Sequence, residues 1–248
     1  MSVDLSGRVV LITGGTKGLG RGLVQDFRAA GADVMTCARH APAEPVEDFV
    51  TADLRDPAAA AGVVDATVSR FGRLDLVINN AGGSPPSASA EVSPHFVEKV
   101  IALNLLAPFY VAQAANRVMQ GQADGGSIIN IGSLSGHRPS PGTAAYGAAK
   151  AGLANFTTTL AMEWAPKVRV NIVTVGYLET EQTALHYGSD EAFEAVVDTI
   201  PMDRLVRPHD VAQACLFLAS PEAAFMTGAD IAVHGGGEPP PFLLAVEP

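Results

Sequence analysis

Short apolar runs alternate along this chain with longer, alanine-rich segments, and this alternation constrains the fold more than any other feature of the sequence. Most of the runs are continuously apolar and lack the alternating polarity of a strand with one exposed face. Continuous apolar strands are typical of parallel sheets that helices cover on both faces. We therefore predict an α/β protein with a doubly wound, seven-stranded parallel sheet.

The predicted elements run through the whole chain. The strands are residues 9–13, 33–37, 49–52, 74–79, 127–131, 168–174 and 230–233. The main helical segments are residues 19–30, 57–71, 94–120, 144–164 and 208–219. Since no long linker separates them, residues 1–248 are predicted to form one domain. Residues 182–208 are expected to form a helical lid over the site, and residues 238–248, with three consecutive prolines, an extended tail.

Composition argues against several classes of function. The net charge is −10, and the basic residues are scattered, whereas nucleic-acid binding favours a basic patch. Cys37 and Cys215 lie in apolar segments without a CxxC or Cys/His cluster, so we expect buried free thiols and no metal. There is no signal-peptide layout and no uncharged apolar stretch of about 20 residues, so we expect a cytoplasmic protein without a membrane span.

The first strand leads directly into Gly14, Gly18 and Gly20, and a helix follows. Glycines allow a tight strand-to-helix turn and a close approach of the backbone to a pyrophosphate, which the unpaired N–H groups of the helix N-terminus can bind. The position of this glycine turn (residues 14–20), after an apolar strand and before a helix, predicts a dinucleotide cofactor.

The second strand indicates which dinucleotide is bound. NAD-binding proteins place a carboxylate at the end of this strand to bond the adenosine ribose, whereas this chain has Ala38 followed by Arg39. A guanidinium can bind a 2′-phosphate that a carboxylate would repel, and Lys17 adds a second positive charge. NADP(H) is therefore the predicted cofactor, with NAD(H) as the alternative.

Ser133, Tyr146 and Lys150 are the candidate catalytic residues. Lys150 follows Tyr146 by four positions, which places both on one face of the predicted helix. The ammonium group of Lys150 is expected to lower the pKa of Tyr146 from an ordinary value of about 10, and so to favour proton exchange at neutral pH. Ser133 can hold the substrate oxygen beside the phenol.

Three motifs in this order resemble those of the short-chain dehydrogenase/reductase family, and the resemblance extends over essentially the whole chain. They are the glycine turn, which reads TGxxxGxG with Thr13; the run Asn79-Asn80-Ala81-Gly82; and the set of Ser133, Tyr146 and Lys150. The resemblance implies a Rossmann-type fold, a nicotinamide cofactor, and interconversion of a carbonyl and an alcohol.

The resemblance also implies further site residues. The cofactor contacts would be Gly14, Thr16, Lys17, Gly18, Leu19, Gly20, Arg39, Asp53, Leu54, Asn80, Ala81, Gly82, Tyr146, Lys150, Gly176, Leu178 and Thr180. The main-chain carbonyl of Asn104 would hold a water that links Lys150 to solvent, and Pro108, four residues later, has no N–H to bond that carbonyl. Val175 replaces the proline that usually precedes Gly176, so we expect a less rigid loop there.

The predicted substrate wall mixes apolar and weakly polar groups. It consists of residues 83–86, Leu134, His137, Arg138, Tyr177, Leu185, His186, Tyr187 and Met202. This mixture favours a small-molecule ketone or alcohol on a moderately hydrophobic body, of 3-oxoacyl, steroid or cyclic ketone type. Arg138 is expected to face solvent, with contact to a substrate anion as the alternative. In the family, the helices that correspond to residues 94–120 and 144–164 pair between subunits, so a homotetramer is expected.

Two alternative functions stay open. One is an NAD-dependent alcohol dehydrogenase of the same family. The other is a catalytically silent, nucleotide-binding relative, which is disfavoured because Ser133, Tyr146 and Lys150 are all retained.

Overall fold

One parallel sheet organises the structure, a computed structural model that describes residues 3–181 and 189–240. Its strands are β1 (Val9–Thr13), β2 (Asp33–Ala38), β3 (Phe49–Thr51), β4 (Leu76–Asn79), β5 (Gly126–Ile131), β6 (Val168–Val175) and β7 (Asp230–Val233). They pair in the order β3-β2-β1-β4-β5-β6-β7, with every neighbouring pair parallel. The predicted Rossmann-type, doubly wound fold is thus confirmed.

Helices connect the strands. They are α1 (Gly18–Ala29), α2 (Pro57–Phe71), α3 (Pro94–Ile101), α4 (Ala107–Gly121), α5 (Ala144–Trp164), α6 (Asp190–Val197) and α7 (Pro208–Ala219). The predicted continuous helix over residues 94–120 is wrong in one respect, because a five-residue π-helical turn, Ala102–Leu106, joins α3 to α4. The turn ends two residues before Pro108, which lacks the N–H that a regular helix would need there.

The bounds of α2 follow from its capping residues. The Asp56 carboxylate accepts the N–H of Ala58 at 3.0 Å, and Pro57 occupies the first helical position, where a missing N–H is tolerated. Gly72 follows the helix with a left-handed φ of 81°. These local signals explain why the predicted bounds, 57–71, are also the observed ones.

Successive residues of β1 point to opposite faces of the sheet. Val10 and Ile12 pack in a core with residues of α1 and α7, whereas Leu11 packs in a second core with residues of α2, α4 and α5. Because both faces are buried, the strand is apolar at every position rather than at every second one. The buried free thiols Cys37 and Cys215 lie in these two cores.

The 28-residue segment Pro94–Gly121 contains an 18-residue stretch with a mean hydropathy of 1.2, so by length and composition it could cross a membrane. A core helix of a globular protein passes the same test, and Val111, Ala112, Ala115 and Met119 of this segment are buried in the core beside the sheet. The segment is therefore weak evidence for a membrane span.

The carboxyl ends of four adjacent strands bring the predicted site residues to one edge of the sheet. Gly14 follows β1, Asn80 follows β4, Ser133 lies two residues beyond β5, and Gly176 follows β6. The order of the strands reverses between β1 and β4, and ligands of open α/β sheets bind at this kind of crevice. The ends of these four strands thus bring the predicted residues together into one candidate site.

Parts of the predicted lid and tail, residues 182–188 and 241–248, lie outside the described residues. The described part of the lid contains α6, whose first turn is capped by Ser189: the hydroxyl accepts the N–H of Ala192 at 3.2 Å. The expectation of helix in this region is thus met by α6, and the role of residues 182–208 as a lid stays a prediction.

Candidate active site

Thr13 and Asn80 join the glycine turn to the end of β4. Thr13 Oγ1 accepts the main-chain N–H groups of Asn80 and Ala81, each at 3.0 Å. Asn80 Nδ2 donates in return to the carbonyl oxygens of Thr13, at 2.9 Å, and Gly14, at 3.3 Å. The two motifs that the sequence places about 65 residues apart therefore form one bonded unit.

The glycine turn leaves no room for a side chain where it meets α1. A Cβ atom on Gly20 would lie 2.1 Å from the Gly14 carbonyl oxygen and 2.5 Å from Asn80 Nδ2. Gly18 has a φ of +53°, in the left-handed region that favours glycine. The N-terminus of α1 therefore presents backbone N–H groups at the edge of the sheet.

A carboxylate of the protein lies at the N-terminus of α1. Glu181 Oε1 accepts the N–H of Gly18 at 2.9 Å, and Glu181 Oε2 lies 3.4 Å from a guanidinium nitrogen of Arg21. The bond from Gly18 holds the pKa of Glu181 below its ordinary value, and the charges of Arg21 and Lys17 contribute to the lowering. These donors therefore suit an anion, which is the chemistry that a dinucleotide pyrophosphate requires.

Ser133, Tyr146 and Lys150 meet at the end of β5. A side-chain hydrogen bond joins Ser133 to Tyr146. Lys150 Nζ donates to the carbonyl oxygen of Ile131 at 2.7 Å and lies 5.6 Å from the centroid of the Tyr146 ring. The hydroxyl, the phenol and the amine are therefore neighbours, as their spacing in the sequence predicts.

Burial dominates the ionisation of Tyr146 and Lys150. It raises the pKa of Tyr146 above 10.0, an effect that the hydrogen bond with Ser133 only partly offsets. It also lowers the pKa of Lys150 from 10.5 to about 8. The predicted lowering of the Tyr146 pKa is thus wrong for the protein's own groups, since loss of hydration disfavours the phenolate more than its neighbours favour it.

The side chain of Asn104 fixes the backbone beside Lys150. Its Oδ1 accepts the N–H of Gly83 at 2.8 Å, and its Nδ2 donates to the carbonyl oxygens of Gly83, at 3.0 Å, and Val100, at 2.9 Å. A Cβ atom on Gly82 would lie 2.7 Å from Asn104 Oδ1 and 3.6 Å from Lys150 Nζ. Asn104 therefore has a clear side-chain role, and the water-holding role of its carbonyl stays a prediction.

Buried amides support the edge of the sheet from below. Asn79 Nδ2 donates to Asn130 Oδ1 at 2.9 Å and to the carbonyl oxygen of Pro108 at 3.1 Å. Asn130 Nδ2 donates in turn to Thr157 Oγ1 at 2.9 Å. This chain of hydrogen bonds ties together β4, β5, α4 and α5, and so fixes α5, which carries Tyr146, relative to the sheet.

The predicted adenosine end of the site carries both signs of charge. Arg55 Nε donates to Asp53 Oδ1 at 2.8 Å, and this pairing holds the pKa of Asp53 at about 2. Arg39 is exposed just beyond β2, with Nε 3.2 Å from His40 Nε2, and its charge also lowers the pKa of Asp53. Leu54, the next residue after Asp53, is buried in the core. Arg39 is thus within electrostatic range of Asp53 at the edge where the 2′-phosphate was predicted.

The loop after β6 is anchored on both sides although Val175 replaces the usual proline. The Gly176 N–H donates to the Val233 carbonyl at 3.0 Å, and the Glu179 N–H donates to the Val206 carbonyl at 2.8 Å. Leu178 forms a parallel bridge with Val206. The Thr180 methyl would contact a Cβ on Gly18 at 3.6 Å. The loop is thus held by main-chain contacts, and the lower rigidity expected from Val175 stays a prediction.

Three residues of the predicted substrate wall, Arg138, His137 and Tyr177, are engaged with the protein itself. Arg138 pairs with Glu238 at the start of the tail, and donates to the Tyr177 hydroxyl at 3.3 Å. Its side chain is 33% exposed, so Arg138 faces solvent only in part and is also paired with the protein's own carboxylate. His137 Nε2 lies 3.1 Å from Thr174 Oγ1 and is also paired with Asp230. Leu185, His186 and Tyr187 lie outside the described residues.

Several residues of this edge were not found from the sequence. They are Thr36, Asn130, Thr157, Glu181 and Glu238. Thr36 Oγ1 accepts the Gly15 N–H at 3.0 Å and donates to the Ile12 carbonyl at 2.7 Å, so it binds the glycine turn to β2. Polar residues inside apolar strands, such as Thr36 and Asn130, were a usable signal, because a buried polar group needs a partner. Glu181 and Glu238 carried no comparable local signal.

The residues around the site suit a negatively charged organic cofactor. Among the residues described, no group of three or more His, Cys, Asp or Glu side chains could hold a metal ion. The glycine turn instead offers backbone donors, and Lys17, Arg21 and Arg39 offer positive charge. This set of donors fits a dinucleotide.

Comparisons with known proteins point to one family. Residues 14–238 match the family model described as enoyl-(acyl carrier protein) reductase. An oxidoreductase of Mycobacterium tuberculosis is 36% identical over 94% of this chain and 92% of its own. The 3-oxoacyl-[acyl-carrier-protein] reductase of Escherichia coli is 33% identical over 94% of this chain and 98% of its own. The solved aldohexose dehydrogenase of Thermoplasma acidophilum superposes with a TM-score of 0.89 at 28% identity, over 100% of this chain and 98% of its own.

We predict that Lys150→Met changes the pH dependence of stability. The folded protein holds the pKa of Lys150 at about 8, against 10.5 for the ordinary group, so between these pH values the unfolded chain binds more protons than the folded one. Stability of the wild type relative to Lys150→Met should therefore rise with pH from 8 to 10.5, by roughly 3 kcal/mol at about 1.36 kcal/mol per pKa unit.

Urea unfolding at fixed protein concentration and several pH values measures this difference. Lys99→Met, which removes an exposed lysine, is the control for loss of one positive charge. Stability curves of wild type and Lys150→Met that stay parallel across the window would contradict the prediction.

Proposed function

The chain belongs to the short-chain dehydrogenase/reductase family of oxidoreductases, which act on CH–OH or carbonyl groups with NAD(P), and from this premise we propose an NADP(H)-dependent interconversion of a ketone and a secondary alcohol. The observation that carries the proposal is the grouping of Ser133, Tyr146 and buried Lys150 at the end of β5. A phenol bonded to a hydroxyl, beside an amine, is suited to move a proton to or from a substrate oxygen.

The dinucleotide would lie along the carboxyl edge of the strands, and when bound it supplies or accepts the hydride. The glycine turn with Thr16 and Leu19 would hold its pyrophosphate, Asp53 and Leu54 its adenine, and residues 80–82 its central part. Gly176, Leu178 and Thr180 would hold its nicotinamide end, beside Tyr146 and Lys150. The anion-binding donors at the start of α1 support this placement.

Tyr146 would act as the proton donor in reduction and as the acceptor in oxidation. Its raised pKa keeps the phenol protonated at neutral pH, ready to donate to a substrate oxygen as negative charge develops there. The hydroxyl of Ser133 would bond the same oxygen. In the oxidative direction the phenolate must form, and the positive charge of the oxidised nicotinamide would then favour it.

Lys150 would replace the proton that Tyr146 releases. With its pKa lowered to about 8, Lys150 can give up and regain a proton near neutral pH more readily than an ordinary lysine. The carbonyl of Asn104 would hold the water that links this amine to solvent. The side-chain bonds from Asn104 to Gly83 support this role by fixing the position of that backbone.

Arg39 and Lys17 would select NADP(H) by binding the 2′-phosphate. The absence of an acid at Ala38 and the exposure of Arg39 at the same edge support this choice. NAD(H) use is the alternative, and the Arg39 variant below distinguishes the two.

The substrate would be a carbonyl or alcohol on a moderately hydrophobic body, of 3-oxoacyl, steroid or cyclic ketone type. The pairing of Arg138 with Glu238 supports an uncharged reacting end, because Glu238 already balances the charge of the cation that contacts Tyr177. A relative named for 3-oxoacyl reduction supports the first type. Incubation with a panel of ketones and alcohols, followed by NADPH absorbance, tests the class.

A homotetramer and a cytoplasmic location complete the proposal. Met162 on α5 and Phe225 before β7 are large apolar side chains that are 85% and 103% exposed in the single chain, which favours burial against other subunits.

The cytoplasmic location is supported by the cysteines. Burial raises the pKa of the Cys37 and Cys215 thiols to about 11 and about 12, and free thiols of this kind suit a reducing compartment.

Tyr146→Phe is expected to lower kcat for a good ketone substrate by roughly 10²- to 10⁴-fold, because it removes the proton donor. The Kd of NADPH, followed by its fluorescence, should change little. Tyr110→Phe, which removes the hydroxyl of a half-buried tyrosine in α4, is the matched control and should keep kcat near that of the wild type. Unchanged turnover in Tyr146→Phe would rule out the assigned donor.

Arg39→Asp is expected to shift the ratio of kcat/KM for NADPH to that for NADH toward NADH by about 100-fold or more, since a carboxylate repels the 2′-phosphate and can bond a ribose hydroxyl. Arg70→Asp changes an exposed arginine of α2 by the same charge and should leave the ratio nearly constant. A ratio that stays constant in Arg39→Asp as well would favour the NAD-dependent alternative.

Light scattering at micromolar concentration tests the assembly. We expect a mass four times that of the 25.6 kDa chain. Met162→Glu should weaken the assembly by placing a charge in an apolar interface, whereas Glu163→Gln, at the neighbouring exposed position, should not. A monomer mass for the wild type would contradict the tetramer.

A further inference from the structure

The contact between Glu181 and the N-terminus of α1 has a consequence for the strength of cofactor binding. The N–H of Gly18 and the guanidinium of Arg21 are donors that suit a phosphate, and Glu181 engages both, at 2.9 Å and 3.4 Å. A carboxylate and a phosphate are both anions, so they cannot share these donors without strong repulsion.

We propose that Glu181 is an affinity-determining residue of the cofactor site, which competes with the dinucleotide pyrophosphate for the N–H of Gly18 and for Arg21. This inference rests on the proposed function and deepens it. Binding of the cofactor requires Glu181 to leave the α1 N-terminus, so the apparent affinity falls by the fraction of molecules in which that terminus is free.

The position of Glu181 in the chain supports the competition. Thr180 lies against Gly18, and Glu179 is held through its N–H on Val206, so the loop after β6 delivers the next residue to the glycine turn. The bond from Gly18 also lowers the pKa of Glu181, which keeps the carboxylate charged at neutral pH. The competing group is therefore an anion held in place by the fold.

The neighbouring carboxylate Glu179 provides the contrast. Its Oε2 bonds Arg207 Nε at 3.1 Å, and Arg207 precedes α7 rather than belonging to the glycine turn. Glu179 and Glu181 therefore contribute equal charge to the same loop, but in the structure only Glu181 accepts the Gly18 N–H. Neutralising each in turn separates direct competition from a general effect of charge.

Weakened binding has a use in turnover. The pyrophosphate is common to the oxidised and reduced cofactors, so Glu181 lowers the affinity for both forms and assists their exchange between turnovers. It is also common to NADP(H) and NAD(H), so Glu181 sets the absolute affinity while Arg39 sets the ratio between the two.

The test is direct calorimetric titration of wild type, Glu181→Gln and Glu179→Gln with ADP, NADPH and adenosine. ADP carries the pyrophosphate and adenosine carries none. We expect Glu181→Gln to bind ADP and NADPH about tenfold more tightly, as loss of one charge-assisted contact implies. Adenosine should bind the wild type and Glu181→Gln with the same affinity. Glu179→Gln should increase the affinity for ADP by clearly less than Glu181→Gln does.

Glu181→Ala serves as a second variant, because glutamine can still accept a weaker hydrogen bond from Gly18. Glu181→Ala should increase the affinity for ADP at least as much as Glu181→Gln does. In both Glu181 variants the affinities for NADPH and NADH should increase by the same factor, so that the ratio of their Kd values stays at the wild-type value.

Three outcomes overturn the inference while leaving the proposed function intact: wild type binds NADPH but the Glu181 variants bind ADP no more tightly, the gain appears equally for adenosine, or Glu179→Gln matches Glu181→Gln. A wild type and variants that bind neither NADPH nor ADP at millimolar ligand overturn the proposed cofactor itself, and the inference with it.

Discussion

The hydrogen bonds that Thr13 Oγ1 accepts from the N–H groups of Asn80 and Ala81 join β1 to β4 where the strand order reverses. Both strands end at this point, so these N–H groups have left the ladder of the sheet and bond elsewhere, that of Asn80 also to the Ile78 carbonyl at 3.1 Å. The hydroxyl accepts both, and Asn80 returns a bond to the turn. The position of the glycine turn, and hence the start of α1, depends on this link.

Burial of Lys150 is the second feature on which the site depends. Removing an ammonium from water opposes folding, and the bond to the Ile131 carbonyl compensates only in part, since the pKa still falls to about 8. Asn79, Asn130 and Thr157 hold α5 against the sheet from the other side. The packing of α5 on the sheet thus keeps Lys150 buried, and burial lets this amine exchange its proton near neutral pH.

Donors and cations at the edge of the sheet are bonded to the protein's own carboxylates. Donors at the N-terminus of α1 meet the Glu181 carboxylate, and Arg138 meets Glu238 at the start of the tail. In both cases a carboxylate that is distant in the sequence pairs with donors for which the neighbouring residues supply no partner. At the N-terminus of α1 this contact sets how strongly a ligand binds, because the ligand must replace it.

The sequence alone determined the fold class, the bounds of capped elements such as α2, and the grouping of Ser133, Tyr146 and Lys150, because these follow from apolar patterning, local capping chemistry and helical spacing. Tertiary structure decided the direction of the Tyr146 pKa, the partner of Arg138 and the place of Glu181. Each of these depends on burial or on residues more than 90 positions apart, as with Arg138 and Glu238 or Gly18 and Glu181. Local pattern carries no information on such distances, so only packing could determine them.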